Sequence, residues 1–240
     1  MNYNWTATLA LLGALIPITI VGRYLVFKIP ALQTMRELNH ETDREKLAND
    51  RYRAAVKTSN NIGLRTNLVL FIALVPFCVS LEARPLWRCV LDVVLVLLVF
   101  DFFYYLVHRF LFHGKSLRKI HALHHEARTP TYIDALYVDP YETAIGIVLF
   151  VFSMPLVAVL TGGPLNAFSM AIATLVFTQQ NTINHTFVNL PYFPFKTIDQ
   201  ITSLHAAHHV NMSQGNYGSL TMIWDWMFGT LETPVTRSTP

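Results

Sequence analysis

The sequence predicts an all-α polytopic membrane protein with about four to five membrane segments and a histidine-rich helical cap on their cytoplasmic side. Three observations carry that reading. Of the 240 residues, 52% are hydrophobic and 14% charged, whereas soluble domains carry about 25% charged residues. Several long stretches contain almost no Asp, Glu, Lys or Arg. Nine of the ten histidines fall between residues 108 and 209, eight of them outside those stretches.

The segments follow from the charge map. Residues 1–22 and 66–81 carry no charged side chain, residues 86–107 carry only Arg88, Asp92 and Asp101, and residues 143–195 carry none. A helical bilayer span takes about 20 apolar residues. The first stretch fits one span. It does not read as a signal peptide, because it lacks a basic leading region and runs into Arg23 and Lys28 rather than a small-residue cleavage site. Glu82-Ala83-Arg84-Pro85 separates the second stretch from the third, and Thr161-Gly162-Gly163-Pro164 breaks the fourth into a hairpin. Residues 28–65 carry eight Lys and Arg, and residues 109–128 carry five more. An excess of these residues marks cytoplasmic loops. Crossings are therefore expected at about 5–27, 67–81, 86–107, 144–161 and 164–180, with the chain returning to the cytoplasm from about 181. Every histidine then falls on that one side, although the topology uses hydropathy and charge alone.

The remaining composition narrows the function. A net charge of +3 without clustered basic motifs leaves no nucleic-acid footprint. Cys78 and Cys89 are too few for a zinc ribbon or a disulfide scaffold; both sit in apolar stretches and read as buried free thiols.

The histidines carry the chemistry. His121, His124 and His125 form one H-x-x-H-H run, and His205, His208 and His209 form another. Positions i, i+3 and i+4 share a helix face, so each run is expected to gather three imidazoles in one patch. Neutral imidazole is a good ligand for iron, zinc and copper. His108 and His113 are five apart, about 140° around an ideal helix. They meet one ion only if the helix distorts or ends before Gly114; otherwise they serve different ions. His185 stands alone, equally readable as a ligand or as a hydrogen-bonded core residue. His40 lies in a charged segment and reads as a surface residue. Eight or nine nitrogens exceed the needs of one ion, so the count points to a dimetal centre.

These residues also carry a family resemblance. The run Asp101-Phe-Phe-Tyr-Tyr-Leu-Val-His108-Arg109, then His113, then His121-Ala-Leu-His124-His125, resembles the fatty acid hydroxylase/sterol desaturase superfamily. So does the closing run of His205-Ala-Ala-His208-His209, Asn216-Tyr217-Gly218, Trp224-Asp225 and Phe228-Gly229-Thr230. The likeness spans roughly residues 90–232. It implies a single membrane domain over 1–240: N-terminal helices and a basic segment to about 88, a catalytic region over 89–232, and a tail at 233–240. It further implies a membrane-bound di-iron enzyme that uses O2 to hydroxylate or desaturate a fatty acyl, sterol or isoprenoid C–H bond, with all nine histidines as ligands. Two departures stand out. The first box reads H-x4-H where many members have H-x3-H. Where many carry His-Pro followed by an acid, this chain has Asp139-Pro140-Tyr141-Glu142, and no ligand is assigned there.

Ligating histidines usually donate their other N–H to a carboxylate or carbonyl. Asp101, two helical turns before His108 and inside an apolar span, is the leading candidate for such a partner. Asn216 and Asp225 are weaker candidates, equally readable as a turn residue and a helix cap. Glu126 reads as readily as a solvated charge. Phe100, Phe102, Phe103, Tyr104 and Tyr105 fit an interfacial aromatic belt or the wall of a lipid-chain tunnel. No G-x-G-x-x-G nucleotide motif is present, so electrons are expected from a separate cytochrome b5-type or ferredoxin-type carrier with its reductase, at a bacterial inner membrane or the endoplasmic reticulum. Two other readings stand beside this one: a membrane zinc hydrolase, and a non-catalytic histidine-rich metal carrier.

Overall fold

The computed structural model describes residues 3–233 other than 27 and 191. The expected tail lies outside the described residues from 234 onward.

The chain is built from helices that begin and end where its sequence dictates. Helix α1 (Trp5–Val26) is apolar almost throughout, and its first turn is capped by the Asn4 side chain, which accepts from the Ala7 N–H at 2.9 Å. Helix α2 (Pro30–Ala48) starts on a proline, whose missing N–H costs nothing in a first turn. Asn49 ends α2 and starts α3 (Asp50–Ala73), its side chain accepting from the Tyr52 N–H at 3.2 Å. A short α4 (Val75–Cys78) and the two-residue strand β1 (Val79–Ser80) follow. Helix α5 (Leu86–Val107) opens after Pro85 and continues into a π-helical turn at His108–Phe112. Short α6 (Arg118–His121) leads through 3₁₀ turns at His124–Glu126 and Tyr132–Leu136 to α7 (Pro140–Leu160). Strand β2 (Leu165–Asn166), α8 (Ala167–His185), α9 (Lys196–His209) and α10 (Ile223–Met227) complete it.

Among the described residues, three helices are long and apolar enough to cross a membrane: Trp5–Leu25, Leu86–Phe112 and Pro140–Leu160. They coincide with three of the five expected crossings. The other two fall on the end of α3 with α4, and on α8. Helix α3 carries Arg51, Arg53, Lys57 and Arg65 before its apolar end, and α8 finishes in Thr178-Gln-Gln-Asn-Thr-Ile-Asn-His185. Neither sustains an apolar run of spanning length. The three long stretches are only 17%, 28% and 39% buried, in chain order, and leave many apolar side chains exposed. Such a surface is stable when lipid rather than water surrounds it. We therefore read the chain as an integral membrane protein.

Helix α5 packs against α7 and α8, with α1 against α8 and α3 against α7. Phe100, Phe150, Met154, Met170 and Leu11 lie in the core these helices share. The bundle is tied at both ends. At the start of α5, β1 pairs in parallel with β2, Val79 opposite Leu165. There Arg84 and Arg88 approach the buried Asp92 at 3.6 and 3.1 Å, while Arg84 also donates to the Pro164 carbonyl at 2.5 Å. At the opposite end, α2 and α3 clamp the segment 131–137. The fully buried Asp134 accepts from Lys46 at 2.5 Å, from the Tyr52 hydroxyl at 2.6 Å and from the Thr131 N–H at 2.7 Å, and Asp43 accepts from the Ile133 N–H at 3.2 Å.

Removing one member of a buried pair strands its partners. Asp134→Ala is expected to lower stability by roughly 2–4 kcal/mol, discounted because Lys46 is partly exposed. Thermal unfolding of the purified protein in detergent measures it, and an unchanged melting temperature would refute the clamp.

Candidate metal centre

All nine histidines predicted as ligands converge in one place. They form two groups whose ring nitrogens lie within 4.8 Å of one another: His108, His113, His121, His125 and His208 in one, and His124, His185, His205 and His209 in the other. Eight of the nine are buried and His113 is half-buried. His40 is exposed and stands apart.

Local backbone decides how the boxes meet. The His113 N–H bonds to the His108 carbonyl at 3.0 Å, an i→i+5 bond that widens the last turn of α5. This distortion brings both ends of H-x4-H into the same group. At Gly114 the turn is so tight that an added Cβ would sit on the Phe110 carbonyl oxygen. The two H-x-x-H-H runs depart from the expectation of one patch apiece. His121 and His125 join the group of five while His124 turns to the group of four, and His205 and His209 join the group of four while His208 crosses to the five. The reason is angular: positions i and i+4 nearly superpose around a helix, whereas i+3 is offset to the other side of their row. Only the second run lies on one regular helix, α9; the first spans α6 and a 3₁₀ turn.

The outer ring nitrogens show which way the inner ones face. A carbonyl only accepts, so a ring nitrogen bonded to one must carry the hydrogen. The Nδ1–H groups donate to carbonyls of Tyr217 (His108, 2.7 Å), Met212 (His113, 3.0 Å), Gly215 (His208, 2.7 Å), Tyr137 (His124, 3.3 Å) and Asn181 (His185, 2.8 Å). His121 donates to the Glu142 carboxylate at 2.9 Å. For these six, Nε2 holds a lone pair. Yet Nε2 atoms approach at 3.0 Å in His108–His121, 3.2 Å in His113–His208 and 3.0 Å in His124–His185. Lone pair faces lone pair, which repels unless a cation lies between. Ligand nitrogens about 2.1 Å from an ion and at right angles to each other sit about 3.0 Å apart. The donor set and its spacing thus fit two metal ions, one per group.

Burial strips water from these rings and pushes the basicity of His113, His121, His125, His208 and His209 below the ordinary histidine value, and that of His124 down to about 4. They stay neutral at physiological pH, the form that binds metal.

The three expected outer partners lie elsewhere. Asp101 bonds to no histidine among the described residues; it accepts the N–H groups of Ser219, Leu220 and Thr221 at 3.2, 2.8 and 3.2 Å and the Thr221 hydroxyl at 2.7 Å. Asp225 accepts from Tyr217 and Gly218 N–H at 2.8 and 2.7 Å. Asn216, in the left-handed region at φ 62°, bonds the Leu204 carbonyl and the Glu232 N–H. All three hold the loop whose carbonyls orient His108 and His208. They act one step further out than the direct partnership expected of Asp101, because α5 turns Asp101 toward the loop rather than the rings. Sequence reasoning missed Glu142. Its signal was available: it is the last charge before the long uncharged stretch and follows Asp139-Pro140. The carbonyls of Met212, Gly215 and Tyr217 carry no side-chain signal. Glu126 pairs with Arg51 and Tyr137 at the surface, 2.8 Å from each.

A cavity of about 290 Å³ reaches the centre. His108, His124, His185 and His205 form its inner end, and α3, α5, α7 and α8 its walls. Of the aromatic run, Phe100 and Tyr104 line it, while Phe102 and Tyr105 pack on Trp224 and Phe228.

Asp225→Ala leaves two loop N–H groups unpaired, each worth about 1–3 kcal/mol, and it touches no histidine. The variant is expected to lose metal about tenfold more readily than wild type; elemental analysis after graded chelation measures this, and wild-type retention would sink the orienting role of the loop. A histidine whose folded basicity is depressed stabilises the fold above its unfolded value and loses that contribution as pH falls. Metal-stripped protein should therefore become less stable as pH falls from about 6.5 toward 4. A melting temperature flat across that window would contradict it.

Comparison with known proteins follows the same residues. The fatty acid hydroxylase family model matches residues 93–230, which contain every histidine of both groups. The chain is 28% identical over 198 residues to very-long-chain aldehyde decarbonylase GL1-11 of Oryza sativa, covering 72% of each chain. It is 32% identical over 133 residues to methylsterol monooxygenase 1 of Rattus norvegicus, covering 54% of this chain and 43% of that one. It is 31% identical over 151 residues to ornithine lipid hydroxylase OlsE of Rhizobium tropici, covering 62% and 44%. The matched part is thus less than half the length of the last two relatives. No solved structure matches. With the family model covering more than half its length, the chain belongs to the fatty acid hydroxylase family.

Proposed function

We propose that this protein is a membrane-bound di-iron oxygenase that uses O2 and external electrons to hydroxylate or desaturate a lipid C–H bond. One observation carries the reading: two groups of inward-facing histidine lone pairs sit at the inner end of a cavity between helices of a membrane protein. The relatives' names, a methylsterol monooxygenase and an ornithine lipid hydroxylase among them, support the substrate class.

His108, His113, His121, His125 and His208 would hold one iron, and His124, His185, His205 and His209 the other. The iron pair would supply O2 activation with two electrons and two protons entering; in hydroxylation one oxygen atom would end on the C–H carbon and the other in water, and in desaturation the substrate would lose two hydrogens and both oxygen atoms would end in water. The chain's own residues do the rest. The carbonyls of Met212, Gly215, Tyr217, Tyr137 and Asn181, with Glu142, fix the histidine tautomers and ring directions. Nine neutral ligands would leave an iron pair held there cationic. Apolar walls at Phe100, Ile147 and Phe177 hold the hydrocarbon and exclude bulk water. The electrons would come from a separate cytochrome b5-type or ferredoxin-type carrier, and the excess of Lys and Arg in residues 28–65 and 109–128 supports its docking on the cytoplasmic face. A catalytic zinc site keeps about three protein ligands and an open position, which groups of five and four histidines do not resemble.

Purified protein is expected to contain about two iron ions, and His113→Ala and His185→Ala about one each. Mass spectrometry of lipids from cells with and without the protein should show a gain of one oxygen or a loss of two hydrogens that depends on O2. Product formed equally without O2, or one ion in the wild type, would overturn the reading.

A further inference from the structure

The walls of the cavity change character with distance from the histidines. Tyr104 lies one helical turn before His108, and Asn181 one turn before His185, about 6 Å along each axis. Neither the Tyr104 hydroxyl nor the Asn181 amide has a hydrogen-bond partner among the described residues, and both line the cavity. Beside them Glu142, itself 5% exposed, spends one carboxylate oxygen on His121 and leaves Oε2 buried and unpartnered among the described residues. A further turn away the polar side chains Thr178 and Asn67 are spent on carbonyls of their own helices, and the rest of the wall is hydrocarbon. Phe100 meets Phe177 edge-on at 4.9 Å, Phe150 stacks on Phe177 at 4.1 Å, and Ile147 closes the side.

We infer that this cavity receives the polar end of a neutral amphiphile, so that the carbon offered to the metals lies within the first few atoms of a hydroxyl or carbonyl group. For the reaction this rests on the oxygenase reading above; for the binding it does not. The reason is desolvation. A ligand that laid plain methylene groups beside the histidines would displace water from Glu142, Tyr104 and Asn181 and return no hydrogen bonds. A ligand with its polar group in that layer satisfies them and leaves its hydrocarbon against the phenylalanines. The polar group is neutral because, among the described residues, no Lys or Arg lines the cavity, so an anionic head would meet the Glu142 carboxylate with only the metals behind it as counter-charge.

The test uses the purified full-length chain in phosphatidylcholine nanodiscs and three radiolabelled probes: hexadecan-1-ol, hexadecane and hexadecanoate. The alcohol is expected to bind at about one per chain and the other two at least tenfold more weakly. Tyr104→Phe, which removes one oxygen and no packing volume, and Asn181→Leu should each weaken alcohol binding roughly threefold to tenfold and leave hexadecane binding unchanged. Hexadecane binding as tightly as the alcohol, or variants indistinguishable from wild type, overturns the inference. Tandem mass spectrometry of the oxidised lipid adds a second readout: modification near the polar group supports it, and mid-chain modification overturns it. Variant-sensitive alcohol binding with no oxidised lipid would fail the oxygenase reading while upholding the cavity assignment.

Discussion

The structure turns on a repulsion. Nine imidazoles are crowded into a largely buried space with their Nε2 atoms 3.0–3.2 Å apart along two chains of contacts. In the six rings whose outer nitrogen is a fixed donor, those inner atoms present lone pairs to one another. Neutral rings cannot settle the conflict by hydrogen bonding, since each has already spent its one proton on the far side. Positive charge between them can. The arrangement is one that a cation stabilises and that water or packing alone does not.

Keeping the rings so directed is the task of everything around them. The loop 212–221 supplies three of the carbonyls, and its own conformation is held from several sides. Asp101 reaches it from within a membrane-spanning helix, Asp225 from α10, and Asn216 from the loop itself. Gly215 and Gly218 are needed because a Cβ at either would collide with the carbonyl oxygen of Thr230 or Thr221. The acids within the apolar helices are thereby explained at both ends of α5. Asp92 ties the start of the helix to Arg84 and Arg88, and Asp101 ties its end to the loop. A carboxylate in such a place is expensive unless its oxygens are satisfied; the three backbone N–H groups and one hydroxyl on Asp101 do so.

On the other flank, the clamp of Lys46, Tyr52 and Asp43 on segment 131–137 fixes Tyr137, whose ring stacks on Tyr52 at 4.2 Å and whose carbonyl directs His124. The polar helices α2 and α3 thus reach the group of four through the Tyr137 carbonyl, and α8 reaches it through Asn181. The cavity lies between these supports, so the residues that shape it and those that orient the ligands share the same helices.

Much of this was legible in the sequence. Uncharged runs marked three spanning helices, because the bilayer requires length and apolarity that are local properties. The histidine spacing marked the centre, because i, i+3 and i+4 are neighbours on any helix. What spacing could not decide was which group each ring joins, since the partition of H-x-x-H-H between two groups depends on where the other run lies. The H-x4-H pair left two outcomes open, and the π-turn that chose between them is a property of the packed backbone. The partners of the rings were hidden for a simpler reason: His108 and Tyr217 are 109 residues apart, and a carbonyl is the same group in every residue. The sequence by itself determined that this chain is helical, membrane-embedded and gathers nine histidines. Only the tertiary structure decided how they divide, which way their lone pairs point, and that Asp101 holds a loop rather than a ring, because those depend on contacts between segments that the chain brings together only on folding.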